Sequence, residues 1–245
     1  MRKKYLALIG IAAIGLLSGC NSSSLDDGSS GYIDPGTVDG LVNDYPFMIS
    51  DSSVFVKRDG SVISADVEEF TADYYDVNEF EEKYLIPAVK AYNEKKGLSY
   101  VKQEETTEKL PVALYGLEKK DNNLVLELNY QTTQDYLSFN KEINTYFNDF
   151  NTFVVCPYAD LADAGISMDA AFLDENGNSV DINTVKATSG LYACVLGFSG
   201  SLPAEFTGKF QFEGEVKYIT EGIVIQGDNS VRVYDSDALQ YILFK

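Results

Sequence analysis

Past residue 44 the apolar positions fall into two kinds of pattern, and each predicts a different element. Short runs at 53–57 and 62–70 read as strands, and Arg58-Asp59-Gly60 between them holds the Asp-Gly pair that favours a tight turn. Then the period changes. Val77, Phe80, Tyr84, Ala88, Ala91 and Tyr92 recur every three or four positions, so one apolar face of a long helix is predicted. Asp76 is placed to cap it, Glu79 completes a capping box, and Gly97 closes its far end. Pro87 inside the stretch predicts a kink or a division. Strands are expected at 110–118 and 124–130 around the turn Lys120-Asp121-Asn122-Asn123, with a shorter helix from Thr133 through Tyr136 and Phe139. Another helix is expected between Pro157 and Gly165.

Beyond residue 165 the pattern is that of strands, at 170–173, 180–182, 191–198, 209–219, 222–225, 231–234 and 239–244. Turn signals stand at Glu175-Asn176-Gly177 and Gly227-Asp228-Asn229. The expected fold class is α+β: antiparallel sheet or sheets, one main helix in the N-terminal half, and a β-rich C-terminal half. A subdomain boundary near residue 150 fits this change of character.

The first 20 residues follow another rule. Arg2, Lys3 and Lys4 precede an apolar run from Tyr5 to Leu17, too short to span a bilayer as a helix, and Ser18-Gly19 lead into Cys20. Leu17-Ser18-Gly19-Cys20 resembles a bacterial lipobox. That resemblance implies lipidation of the Cys20 thiol and cleavage before it, giving a signal peptide over 1–19 and a membrane anchor of lipid alone. Residues 20–44 are Ser-, Gly- and Asp-rich and read as a flexible spacer, leaving 45–245 as the extracytoplasmic domain.

Charge narrows the choice of partner. Across 245 residues, 38 Asp and Glu face 19 Lys and Arg, for a formal net charge of −19 and a pI near 4.2. Loss of residues 1–19 removes three bases and no acid. Nucleic acid is excluded as a partner, because its phosphates need a cationic face. Having no histidine excludes Ser-His-Asp and Cys-His triads and imidazole metal sites.

Three features of the sequence resemble a group of small uncharacterised lipoproteins of low-GC Gram-positive anaerobes. Led by the lipobox, they are the strand–Asp-Gly–strand unit running into Asp73-Tyr74-Tyr75-Asp76-Val77, the helix end Ala91-Tyr92-Asn93-Glu94, and Asp135-Tyr136-Leu137-Ser138-Phe139-Asn140. The terminal Tyr241-Ile242-Leu243-Phe244-Lys245 is similar too. The resemblance implies a lipid-anchored location facing outward and passes on no catalytic residue.

Candidate chemistry is sparse. Cys156-Pro157-Tyr158 resembles a glutaredoxin-type motif at the start of a helix, where a thiolate is stabilised, but Ala159 stands where a second Cys belongs. Export permits a disulfide between Cys156 and Cys194; two buried thiols are the alternative. Asp174, Asn176 and Asn178 offer oxygens as a calcium loop does, although Gly177 and Val185 break that pattern and a hairpin turn explains the same residues. Acids cluster at Asp66, Glu68, Glu69, Asp73, Asp76, Glu79, Glu81 and Glu82, as paired carboxylates of a glycosidase or as a solvated face. Tyr74 and Tyr75 are the candidates for a ligand platform. The expectation is a binding or accessory module without chemistry or cofactor, acting on a surface protein, peptide or glycan through a strand edge or a tyrosine-bearing loop. A histidine-free enzyme using carboxylates or a thiol is the alternative.

Overall fold

The structure is a computed structural model that describes residues 32–33, 45–71, 76–143, 150–198, 207–234 and 236–245. Two compact units form, one from residues 49–53 and 61–143, the other from 32–33, 45–48, 54–60 and 150–245. The fold is α+β with antiparallel-dominated sheets, as the patterning requires.

The described residues begin in the second unit. Strand β1 (Tyr32–Ile33) lies within the stretch read as spacer and pairs antiparallel with β2 (Phe47–Met48). Strand β3 (Ser53–Val56) follows, and Gly60, at φ +82°, closes the next turn with its N–H donating to the Lys57 carbonyl at 3.1 Å. Only a residue without Cβ takes that φ at no cost.

The first unit is then built in order. Strand β4 (Val62–Glu69) leads to helix α1, whose segments run Val77–Phe80, Glu81–Leu85 and Ile86–Glu94. Strands β5 (Val112–Lys120) and β6 (Asn123–Tyr130) follow, then helix α2 (Thr133–Glu142). The sheet order is β4-β6-β5, antiparallel at both pairings. Asp121, at φ +52°, makes the tight β5–β6 turn.

Helix α1 carries the caps expected of it. Asp76 Oδ1 accepts from the N–H groups of Asn78 and Glu79 at 2.9 and 3.2 Å. Gly97, at φ +82°, ends the helix as Leu98 N–H donates to the Asn93 carbonyl at 3.1 Å. The Glu79 side chain pairs with Lys83 at 2.8 Å.

The apolar face is corrected. Glu81–Leu85 is a π-helical turn in which the Ile86 N–H reaches the Glu81 carbonyl, five residues back. The extra residue rotates the helix below it. The buried positions become Phe80, Leu85, Val89 and Tyr92, while Tyr84 and Ala88 are half-buried and Ala91 is exposed. Pro87 follows this turn directly, so its missing N–H falls at the start of a new α segment, where helices tolerate it.

Five side chains lock the helices to the sheet and to each other. Asn93, fully buried, donates to the carbonyls of Tyr100 and Val112 at 2.9 and 2.7 Å and accepts from the Val112 N–H at 3.1 Å. Tyr92 packs edge-on to Phe139 at 5.5 Å, and Tyr130 to Tyr136 at 5.0 Å.

The second unit resumes with β7 (Phe150–Pro157) and a single 3₁₀ turn at Tyr158–Asp160, shorter than the helix expected there. Strands β8 (Phe172–Leu173) and β9 (Ser179–Val180) flank the turn at Gly177, φ +78°. Helix α3 (Ile182–Ala187) was not predicted; Asp181 caps it by accepting from the Asn183 N–H at 2.8 Å. Then come β10 (Tyr192–Phe198), β11 (Thr207–Phe212), β12 (Val216–Ile219), β13 (Ile223–Gly227), β14 (Ser230–Tyr234) and β15 (Gln240–Phe244).

One sheet has the order β7-β10-β15-β12-β8-β9; β13-β14-β11-β3 forms another layer, with β11 and β3 parallel. The expected single strand at 209–219 is therefore two. β11 pairs with β3 and β14, β12 with β15 and β8, and the chain changes sheet at Gly214, where a Cβ would collide with the Lys245 carbonyl. Phe153 and Phe244 of one layer meet Phe210 and Phe212 of the other, at 6.1 and 4.8 Å between rings. The far face of the first layer carries a second core around Tyr158, Leu161, Phe172, Val195, Tyr241 and Leu243.

Candidate functional site

Two places among the described residues stand out for chemistry or space. The first lies in the first unit, on the face of β4 that meets the helices. Strand alternation puts Ser64, Asp66 and Glu68 on one face, and the register sets them opposite Leu128, Leu126 and Leu124 of β6. That face also carries Tyr130, whose hydroxyl lies 3.4 Å from the Ser64 hydroxyl. Burial pushes the Asp66 carboxyl up to about 6. Burial, then the Asp66 charge beside it, pushes Glu68 up to about 8. Burial also raises the Tyr130 and Tyr136 hydroxyls, and the Asp66 charge adds to both. Two carboxyls that give up protons reluctantly, beside phenols that keep theirs, form an arrangement capable of holding and passing a proton.

The second is a cleft of about 730 Å³ in the second unit. Ala170, Ala171, Gly222 and Ala238 give it a small-residue lining, and Tyr241 and Leu239 supply apolar surface. It opens where β8 and β12 part. The two strands pair only at Leu173 and Ile219, and no backbone hydrogen bond joins 170–171 to 221–222 among the described residues. Gly222 turns the chain away at φ +83°, with the Tyr234 N–H donating to its carbonyl at 2.8 Å. The Gln240 side-chain nitrogen sits 2.5 Å from where a Cβ would stand, so the turn needs glycine. Thr220 stays with β15, its N–H donating to the Tyr241 carbonyl and its hydroxyl accepting from the Tyr241 N–H, both at 3.0 Å.

The residues singled out in the sequence fare differently. Cys20, Tyr74 and Tyr75 lie outside the described residues. Cys156 and Cys194 are both free thiols. The register explains why no bridge forms: Cys156 stands opposite Ala193 and Cys194 opposite Val155, so the two side chains leave opposite faces of the sheet. Nor is Cys156 at a helix N-terminus. It is the penultimate residue of β7, and burial, with the Asp160 charge nearby, pushes its thiol up, which removes the basis for an activated thiolate. Cys194 is buried and its thiol is pushed up further.

Asp174, Asn176 and Asn178 come together as a turn. Asp174 Oδ1 accepts from the N–H groups of Asn176 and Asn178 at 2.9 and 2.8 Å, and Oδ2 accepts from the Asn178 side-chain amide at 3.2 Å. Those bonds hold the Asp174 carboxyl below the usual range. The carboxylate is occupied by its own loop and Asn178 turns a donor toward it, and among the described residues no three or more Cys, Asp and Glu side chains gather as a metal would need. These bonds are those of the hairpin turn expected there.

The acidic stretch divides. Asp66 and Glu68 form the pair above, Asp76 caps α1, Glu79 pairs with Lys83, and Glu69 and Glu82 are exposed. The cleft has no signature in the sequence, because most of its lining is Ala, Gly, Ser and Thr, and its two acids lie far apart along the chain. No family model, no curated protein and no solved structure matches this chain. Among the described residues no helix is long and apolar enough to cross a membrane.

Proposed function

We propose that this protein is a lipid-anchored module of the cell surface, facing outward from the membrane through Cys20, that binds a surface protein, peptide or glycan without chemistry. The observation that carries the reading is the cleft between Ala170–Ala171 and Glu221–Gly222. It is roomy enough for a ligand of moderate size. Neither Cys156 nor the Asp66–Glu68 pair belongs to it, and of its two acids Asp169 pairs with Lys186 at 3.0 Å while Glu221 is exposed. The lipobox-like start and the resemblance to uncharacterised lipoproteins support the location.

The test uses the full chain in lipid nanodiscs against panels of immobilised peptides and glycans, with the bound ligand recovered for mass spectrometry. Saturable binding of one class, recovered unchanged, is expected. A ligand returned cleaved or modified, or no binding in either panel, overturns the reading. Location is tested separately: a fatty-acid label is incorporated by the wild type and lost in Cys20→Ala.

A second reading is favoured by one observation, the shared face of Asp66 and Glu68 beside Tyr130. It makes the protein a histidine-free acid–base enzyme. Turnover abolished by both Asp66→Asn and Glu68→Gln would establish it.

A further inference from the structure

We propose that the cleft of the second unit takes an extended, basic peptide segment as an added strand along Ala170–Ala171, with a cationic side chain against Glu221. This rests on the binding-module reading and names its partner. The argument begins with the register. Leu173 pairs with Ile219 in antiparallel sense, so continued pairing would set Ala171 opposite Glu221 and Ala170 opposite Gly222. Instead the chain turns off at Gly222, and among the described residues 170–171 have no backbone partner on that side. The backbone of 170–171 carries no hydrogen bond to protein among the described residues. An unpaired backbone edge with room beside it is what an incoming strand uses, main-chain bonds supplying affinity and alternate side chains supplying selectivity.

The walls define the side chains such a strand carries. Ala171, Gly222 and Ala238 leave its backbone free to approach closely, while Leu239, 39% exposed, and Tyr241 offer apolar contact on one side. Glu221 is exposed and has no ion pair among the described residues. Asp169, at the other rim, pairs with Lys186 at 3.0 Å, so among the described lining residues Glu221 is the acid without an ion pair to select a partner. In a chain of net charge −19 the surrounding field also draws cations and repels acidic segments.

The experiment is selection of phage-displayed random peptides on the full chain in nanodiscs, followed by affinity measurement on synthetic copies of the enriched sequences. Enrichment of peptides with Lys or Arg flanked by apolar residues is expected. Glu221→Lys should weaken them about tenfold or more, and Glu221→Gln less. N-methylation of alternate peptide amides should abolish binding while methylation of the intervening ones is tolerated, because only every second N–H of a strand points to a given neighbour. That readout needs no variant of the protein. Ala171→Arg, at an exposed position, should also block the site with an unchanged melting temperature.

Enriched peptides indifferent to Glu221→Lys and to N-methylation overturn this site and leave the binding module standing. No enriched peptide, with a glycan bound in the panel above, overturns the peptide and again leaves the module. If neither peptide nor glycan binds, both fall.

Discussion

At Asp66 and Glu68 the pH dependence of stability follows from where the carboxyls lie. Each is held above its ordinary value in the folded protein, by burial first and for Glu68 also by its neighbour. The folded state therefore binds more protons than the unfolded state through the interval between the two values, and stability falls as pH rises there. Their favourable contribution is complete at about pH 4 and is lost through about pH 8. Glu127, raised chiefly by burial, works in the same direction. Thermal melts of the full chain from pH 4 to 8 should show Asp66→Asn/Glu68→Gln more stable than wild type at the upper end and equal at the lower. A constant difference across the range would sink this account. Asn93 is a second case. Replacing it by Ala leaves the Val112 N–H and two carbonyls unpaired in a buried place, at about 3 kcal/mol in urea unfolding.

Among the elements, α1 is the one whose behaviour depends on a single inserted residue. The π turn separates Phe80 from Leu85 by five positions and sets the spacing of everything below it. Deleting exposed Glu82 together with Pro87→Ala should let the turn relax to a regular α-helix with the same buried residues, within about 1 kcal/mol of wild type. Deleting exposed Lys90 should instead rotate Tyr92 and Asn93 by about 100° from their partners and cost about 4 kcal/mol. Thermal melts of both variants decide between them. The caps of α1 were legible because Asp76 and Gly97 act on backbone groups within a few residues. The face was not, since α and π turns use the same side chains and the choice depends on what packs below. Strand β12 escaped for a similar reason: the 209–219 run is uniformly strand-forming, and only the Lys245 backbone beside Gly214 makes the chain change sheets.

For the whole molecule, the opposed faces of Cys156 and Cys194 give a prediction without a variant. Under oxidising conditions Cys156 and Cys194 should both remain thiols with no bridge between them, Cys156 being alkylated in the native chain and Cys194 only on unfolding. A bridged peptide in a non-reducing digest of native protein would mean that β7 and β10 pair in another register. The charge acts at this scale too. Self-repulsion in a chain at −19 should make moderate salt stabilising, so raising NaCl at fixed pH should raise the melting temperature.

The order of residues by itself determined the kinds of element and most of their places, because strand alternation, helix spacing, caps and turn glycines are interactions over a few positions. It also singled out the acids of β4, since alternation alone puts Asp66 and Glu68 on one side. Only the tertiary structure decided that this side is the one facing Tyr130, that the two thiols diverge, and that β8 and β12 separate to leave a cleft. Each of these is a matter of register or of sheet membership between segments far apart in sequence. A shift of one residue exchanges the faces of a strand without changing any local preference, so local patterning holds no record of the choice.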